Sequence, residues 1–237
     1  MTQALNFFIA PSRRVMTMPD LTLIFTETFE GTLGDFTIYL SSAQTVIDLT
    51  TVDPIAGSQS ARIARASGTS VTYGNVVGGP GSSAQVTGRL RGLGKRTESS
   101  SNSHQYGLVC MQSAGDLTGG SGSAYGLRWR GNALDLIKTT AGLAGFGTVA
   151  TTALTQGTGV NAIQLDWVSD QQAMLGGTAL TGWYGTATDF SDLTEVLSYT
   201  DSSSPLTSTV NQGFFGGDFG NGNDFRYVLD TLSLYGA

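Results

Sequence analysis

Any chemistry in this chain would have to start from its carboxylates. Hydrolysing a glycoside takes two carboxyl groups about 5–9.5 Å apart, one protonated and one ionised. The sequence has four glutamates, Glu27, Glu30, Glu98 and Glu195. Glu27 and Glu30 are three positions apart, so a strand points them to opposite faces, and the other two stand alone. Nucleophilic catalysis is no better served. The one histidine, His104, sits in the serine-rich "TESSSNSHQ", without a G-x-S-x-G elbow. The one cysteine, Cys110, lies in the apolar run "YGLVCM" and reads as a small buried hydrophobe. One histidine and one thiol also exclude an ordinary zinc site and any intrachain disulfide. The chain is therefore expected not to be an enzyme.

Three stretches could bind rather than react. Residues 216–236 read "GGDFGNGNDFRYVLDTLSLYG", where Asp218, Asn221, Asn223 and Asp224 gather oxygen ligands in a composition that is also that of a common turn. In the strand that follows, Phe225, Tyr227 and Leu229 share a phase, whereas Leu232 and Leu234 take the opposite one together with Val228 and Asp230. That switch implies a bulge or a strand covered on both faces. Asp230 must then find a cation, backbone donors or water, because a bare buried carboxylate costs several kcal/mol. In "GGTALTGWYGTATDF", Trp183 and Tyr184 stand beside turn glycines as an aromatic pair open to a sugar, with packing at a strand end as the alternative. Finally, "RLRGLGKR" holds Arg89, Arg91, Lys95 and Arg96, which suits a small anion or an acidic protein face, or simply a solvated hairpin tip.

The elements that must position these residues are strands. Charged residues make up only 13% of the 237, against 33 glycines, which suits short strands joined by small turns. From Leu21 onward β-like runs recur between turn residues, about fourteen in all, with no long 3.6-period segment. They predict two large antiparallel sheets packed face to face. The clearest hairpin is "AYGLRWRGNALDLIKTT", where Gly131-Asn132 suits a two-residue turn. Its register sets Trp129 opposite Leu134 and Leu127 opposite Leu136 on one face, with Arg128 opposite Asp135 on the other. In "NAIQLDWVSD", Ile163, Leu165 and Trp167 alternate with Gln164 and Asp166, and Asp166 reads as a solvated outer-face residue. Residues 1–21 form a segment apart from the 22–237 sandwich. Its apolar cluster and prolines cannot make a core, so Phe7 and Phe8, with Arg13 and Arg14, are expected to pack on the parent domain or on a neighbour. A net charge of −6 argues against nucleic acid, and no run approaches the roughly 18 apolar residues of a membrane span.

Four stretches together resemble the concanavalin A-like jelly roll in its laminin G-like form: "TFEGTLGDFTIY", "YGLRWRGNALDLIKTT", "NAIQLDWVSD" and the closing "YVLDTLSLYG". The resemblance spans about residues 23–236 as a pattern of strands and turns, and function does not follow from fold. It implies neighbouring terminal strands, and so a possible structural calcium held by Glu30 and Asp230 or by the loop Asp218, Asn221, Asn223 and Asp224. Glycosidases of this fold carry Glu-x-Asp-x-x-Glu on one strand, and no such array exists here. Tailed-phage virions commonly carry such domains as decoration proteins, head fibres or tail adhesins. The resemblance therefore implies a virion structural protein, anchored to capsid, portal or tail components by Phe7, Phe8, Arg13 and Arg14, oligomeric, and able to adhere to a cell-surface glycan. An extracellular carbohydrate-binding module or adhesin is the alternative.

Overall fold

The computed structural model describes residues 18, 20–33, 36–40, 45–65, 72–78, 85–97, 104–111, 122–142, 145–154, 158–169, 177–207, 211–218 and 226–237. Among the described residues fifteen strands form two antiparallel sheets. Sheet A contains β1 (Thr22–Glu27), β3 (Thr45–Thr50), β4 (Ser60–Arg65), β6 (Thr87–Arg96), β11 (Asn161–Ser169), β12 (Thr178–Gly185), β13 (Thr194–Asp201) and β15 (Arg226–Gly236). Sheet B contains β2 (Phe36–Leu40), β5 (Thr72–Gly78), β7 (His104–Met111), β8 (Ala124–Arg130), β9 (Ala133–Thr139), β10 (Gly147–Ala153) and β14 (Asn211–Asp218). The spatial orders are β13-β12-β11-β6-β15-β4-β3, with β1 also on β15, and β10-β9-β8-β7-β14-β5-β2. The expected two-sheet sandwich is what forms.

Between the sheets, alternate residues meet. Leu90, Ile163, Leu165, Trp167, Leu180, Tyr227, Leu229, Leu232 and Leu234 of sheet A pack with Tyr106, Leu108, Leu127, Trp129, Leu134, Leu136 and Phe214 of sheet B. The β8–β9 hairpin has the register expected from its Gly-Asn turn, with Trp129 opposite Leu134 and Arg128 opposite Asp135. The phase switch in the last strand is a bulge: pairing with β6 slips between Asp230 and Ser233, and Thr231 takes a left-handed φ of 48°. One extra residue there returns Leu232 and Leu234 to the core face already used by Tyr227 and Leu229. Asp230, Val228 and Ser233 are also buried, on the other side of the strand.

One expectation is corrected. "RLRGLGKR" is not a hairpin tip but the last eight of the ten residues of β6, a central strand hydrogen-bonded to both β11 and β15. Its Gly92 and Gly94 read as turn residues, yet both face the core where large rings need the room. A Cβ on Gly92 would lie 2.5 Å from the Phe214 ring, and one on Gly94 would lie 2.3 Å from Tyr106. The glycines permit close approach of the two sheets, and Arg89 and Arg91 project from the opposite, outer face.

Candidate ligand-binding face on sheet A

The strand registers line up two rows of side chains across the outside of sheet A. One runs Glu195, Trp183, Gln164, Arg91, Ser233, Thr26. The next runs Ser198, Thr181, Asp166, Arg89, Tyr235, Leu23. Because Ile163, Leu165, Trp167 and Leu180 are committed to the core, these interleaved residues must face outward.

The rows are tied together by charge and hydrogen bonds. Arg89 donates from Nε and Nη2 to the two oxygens of Asp166 at 2.8 and 2.9 Å, a fork-to-fork pair. Gln164 adds a bond from Nε2 to Asp166 at 3.2 Å. Asp166, expected to be solvated, is instead 3% exposed, covered by its arginine and glutamine neighbours. The bond to Asp166 raises the Arg89 pKa further above its ordinary value. Burial, and next to it the charge of Arg89, push the Arg91 pKa down. The Arg91 guanidinium lies between two rings, 4.8 Å from the Phe190 centroid and 4.6 Å from that of Tyr235, and Nη2 donates to the Tyr235 hydroxyl.

Phe190 arrives from the β12–β13 connection, whose shape is set by two aspartates. Asp192 accepts from the Thr186 N–H, the Thr186 hydroxyl and the Ala187 N–H at 2.8, 2.9 and 3.0 Å. Asp189 accepts from the N–H and hydroxyl of Ser191. Phe190 itself sits at φ 62°, which a non-glycine residue adopts only where neighbours hold it. These short-range aspartate turns are the signal in "TATDFSD" that could have found Phe190 from the sequence.

Of the aromatic pair, only Trp183 belongs to this face. Adjacent strand residues point oppositely, so Tyr184 turns inward, its ring edge-on to Trp129 at 4.9 Å and its hydroxyl donating to Asn161 Oδ1 at 3.3 Å. Trp183 is half-buried between Gln164 and Glu195. The outer face of sheet B offers less. Asp135 is fully buried there, accepting from Arg128 at 2.7 Å and Arg130 at 2.7 Å, while Arg128 also donates to Gln105 and Thr148. Phe215, also fully buried, packs on Phe146 from the segment after β9. Around Asp135 and Phe215 that surface is occupied by the chain itself.

Of the residues considered for calcium, Glu30 and Asp230 can be placed with their partners. Glu30 accepts from the Ser58 N–H and hydroxyl at 2.8 and 2.5 Å and from the Gln59 N–H at 3.3 Å, and these bonds, the Ser58 hydroxyl foremost, hold its pKa below the usual value. Asp230 is fully buried and accepts from Ala56 N–H at 3.2 Å, Ser60 hydroxyl at 2.5 Å, Thr231 N–H at 2.6 Å and Thr231 hydroxyl at 3.1 Å. Burial raises the Asp230 pKa against the pull of those donors. Both carboxylates thus grip the β3–β4 connection, from two sides. Four amide hydrogens point at their oxygens where a cation would have to sit, so these residues do not fit a shell of six to eight oxygen ligands. Among the described residues no three of His, Cys, Asp and Glu converge on a metal position. Asp218 ends β14. Asn221, Asn223 and Asp224, and the arm residues Phe7, Phe8, Arg13 and Arg14, lie outside the described residues.

No family model and no curated protein matches the sequence. Solved structures do. A carbohydrate esterase from the Shiga toxin-encoding bacteriophage phi24B is 11% identical, covers 91% of this chain and 99% of its own, and superposes with a TM-score of 0.52. The lectin UEA-II, complexed with galactose, is 9% identical over 91% of this chain and 100% of its own, TM-score 0.53. Arcelin-5, a lectin-like defence protein from Phaseolus vulgaris, is 9% identical over 91% and 97%, TM-score 0.52. The chain has the concanavalin A-like, lectin-type jelly-roll fold, and at these identities the likeness concerns the fold.

Proposed function

We propose that the chain is a non-catalytic glycan-recognition sandwich that binds through the outer face of sheet A and serves as a structural or decoration component of a tailed-phage virion. The observation that carries the binding reading is the pair of cross-strand rows. They set the half-buried Trp183 indole between the exposed Glu195 carboxylate and, two strands away, the partly buried Arg91 guanidinium, which is a stacking surface flanked by fixed polar groups of the kind sugar recognition uses. The lectin and phage proteins of the same fold are consistent with it. The non-catalytic reading is supported by the occupation of the carboxylates. Asp135, Asp166, Asp201 and Asp230, the buried carboxylates among the described residues, are each taken up by arginine, lysine or amide and hydroxyl donors. The virion placement rests on the single cysteine, the sequence of the 1–21 arm and a phage protein among the structural neighbours.

On a glycan array the wild type should bind reproducibly, and Trp183→Ala should weaken binding by about tenfold or more, since an aromatic contact is worth on the order of 1 kcal/mol beyond its burial. Tyr184→Phe, whose ring faces the core, should bind like wild type. Loss in Tyr184→Phe without loss in Trp183→Ala would move the site elsewhere. The virion placement predicts that the chain is found in purified particles; recovery only from culture medium would favour the extracellular adhesin.

A further inference from the structure

Arg91 is the feature of this face that sugar stacking does not use. Both oxygens of its nearest acid, Asp166, are occupied by Arg89, and among the described residues no carboxylate pairs with Arg91. Its Nε is buried without an acceptor. The chain has 18 acidic residues against 12 basic ones, yet this partly buried guanidinium is left unneutralised. Stacking alone is a weak reason to place it there, because Asp189 and Asp192 already shape the loop that delivers Phe190. The two rings and the Tyr235 hydroxyl hold the guanidinium in place, which preorganises it for an anion.

We propose that the face takes an acidic polysaccharide, with Arg91 holding a sugar carboxylate while the adjoining sugar ring reaches toward Trp183; the proposal rests on the glycan-binding reading above. The register places Arg91 and Trp183 on strands either side of β11. Their backbones are two strand spacings, about 10 Å, apart, a span on the scale of a sugar ring with its exocyclic carboxylate. Arg89 is spent on Asp166, which leaves Arg91 as the cation of these rows that no carboxylate among the described residues pairs with. A uronate or sialate would supply the missing partner through charge-assisted hydrogen bonds.

The test is an array carrying uronate-containing, sialate-containing and neutral glycans, followed by titration of each bound acidic glycan and its methyl-esterified counterpart against the full chain. Acidic glycans should bind, and esterification, which removes the charge and keeps the ring, should weaken binding at least tenfold. Arg91→Gln should weaken the acid at least tenfold and the ester far less, so that the preference for acid over ester is lost. Hits confined to neutral glycans, or equal affinity for acid and ester, would overturn the assignment of Arg91 and leave glycan recognition standing. Equal binding of dextran sulfate and of the acidic glycan would also overturn it, as general attraction of polyanions. No binding to any glycan would overturn both readings.

Discussion

Asp135→Ala is expected to lower the melting temperature by roughly 6–20 °C. Asp135 is fully buried and is the shared acceptor of Arg128 and Arg130. Removing it leaves Arg128, itself 8% exposed, as a buried charge with no carboxylate. Breaking a buried pair from one side costs about 3–5 kcal/mol, and each kcal/mol moves the melting point of a domain this size by about 2–4 °C. The same site sets a pH dependence. Burial pushes the Asp135 pKa up, but the bonds from Arg130, Thr151 and Arg128 outweigh it and hold the carboxyl below its ordinary value. Asp201 behaves alike, with the bonds from Lys138 and Tyr125 prevailing over burial. A folded-state pKa below the unfolded one means that the folded protein binds fewer protons. The stabilisation is therefore complete at neutral pH and is lost as pH falls below about 4, the ordinary aspartate value, and on through the depressed folded pKa. Calorimetry from pH 7 to pH 3 should show a steep fall for the wild type at the acid end, and a shallower one for Asp135→Ala. Identical acid profiles would show that the pair is not ionised as described.

Asp230→Ala is expected to cost on the order of 2–4 kcal/mol, or roughly 4–16 °C. The substitution removes the acceptor for four protein donors, and a stranded buried donor costs about 1–3 kcal/mol. Those donors come from the β3–β4 connection, at Ala56 and Ser60, and from the bulge residue Thr231. Amide exchange at Ala56 and Thr231 should therefore accelerate in the variant more than exchange in β8 and β9. Calcium or a chelator should change the melting temperature of the wild type and of Asp230→Ala by the same amount, because hydrogens already occupy the Asp230 oxygens. A rise of several degrees with calcium, lost in Asp230→Ala, would show that a cation replaces the donors.

Much of the fold is legible in the sequence because period-two alternation and turn chemistry are local. The β-like runs fall on the observed strands, the Gly131-Asn132 hairpin has its expected register, and the phase switch at Leu229 and Asp230 is a bulge. The candidate face was harder to see, since it depends on pairing between distant strands. Gly92 and Gly94 look like turn residues until Phe214 and Tyr106, more than ten positions away in the chain and on the other sheet, are known to need their space. Asp166 looks solvated until β6 brings Arg89 opposite it, 77 residues away in the chain. Trp183 and Tyr184 look like a pair, although alternation on any strand separates them. Phe190 was missed because its place over Arg91 follows from aspartate turns rather than from hydrophobic periodicity.

The central claim is that the outer face of sheet A meets the glycan, and the three tryptophans provide a direct reading of it. Trp129 and Trp167 are buried in the core, at 0% and 2% exposure, and Trp183 alone lies on the outer face. In an ¹H–¹⁵N correlation spectrum of the full chain, with indole signals assigned by Trp→Phe substitution, titration with the best array glycan should shift the Trp183 indole progressively and leave the other two in place. A titration that shifts the Trp129 signal or backbone signals of β8 and β9, with the Trp183 indole unmoved, would contradict the account.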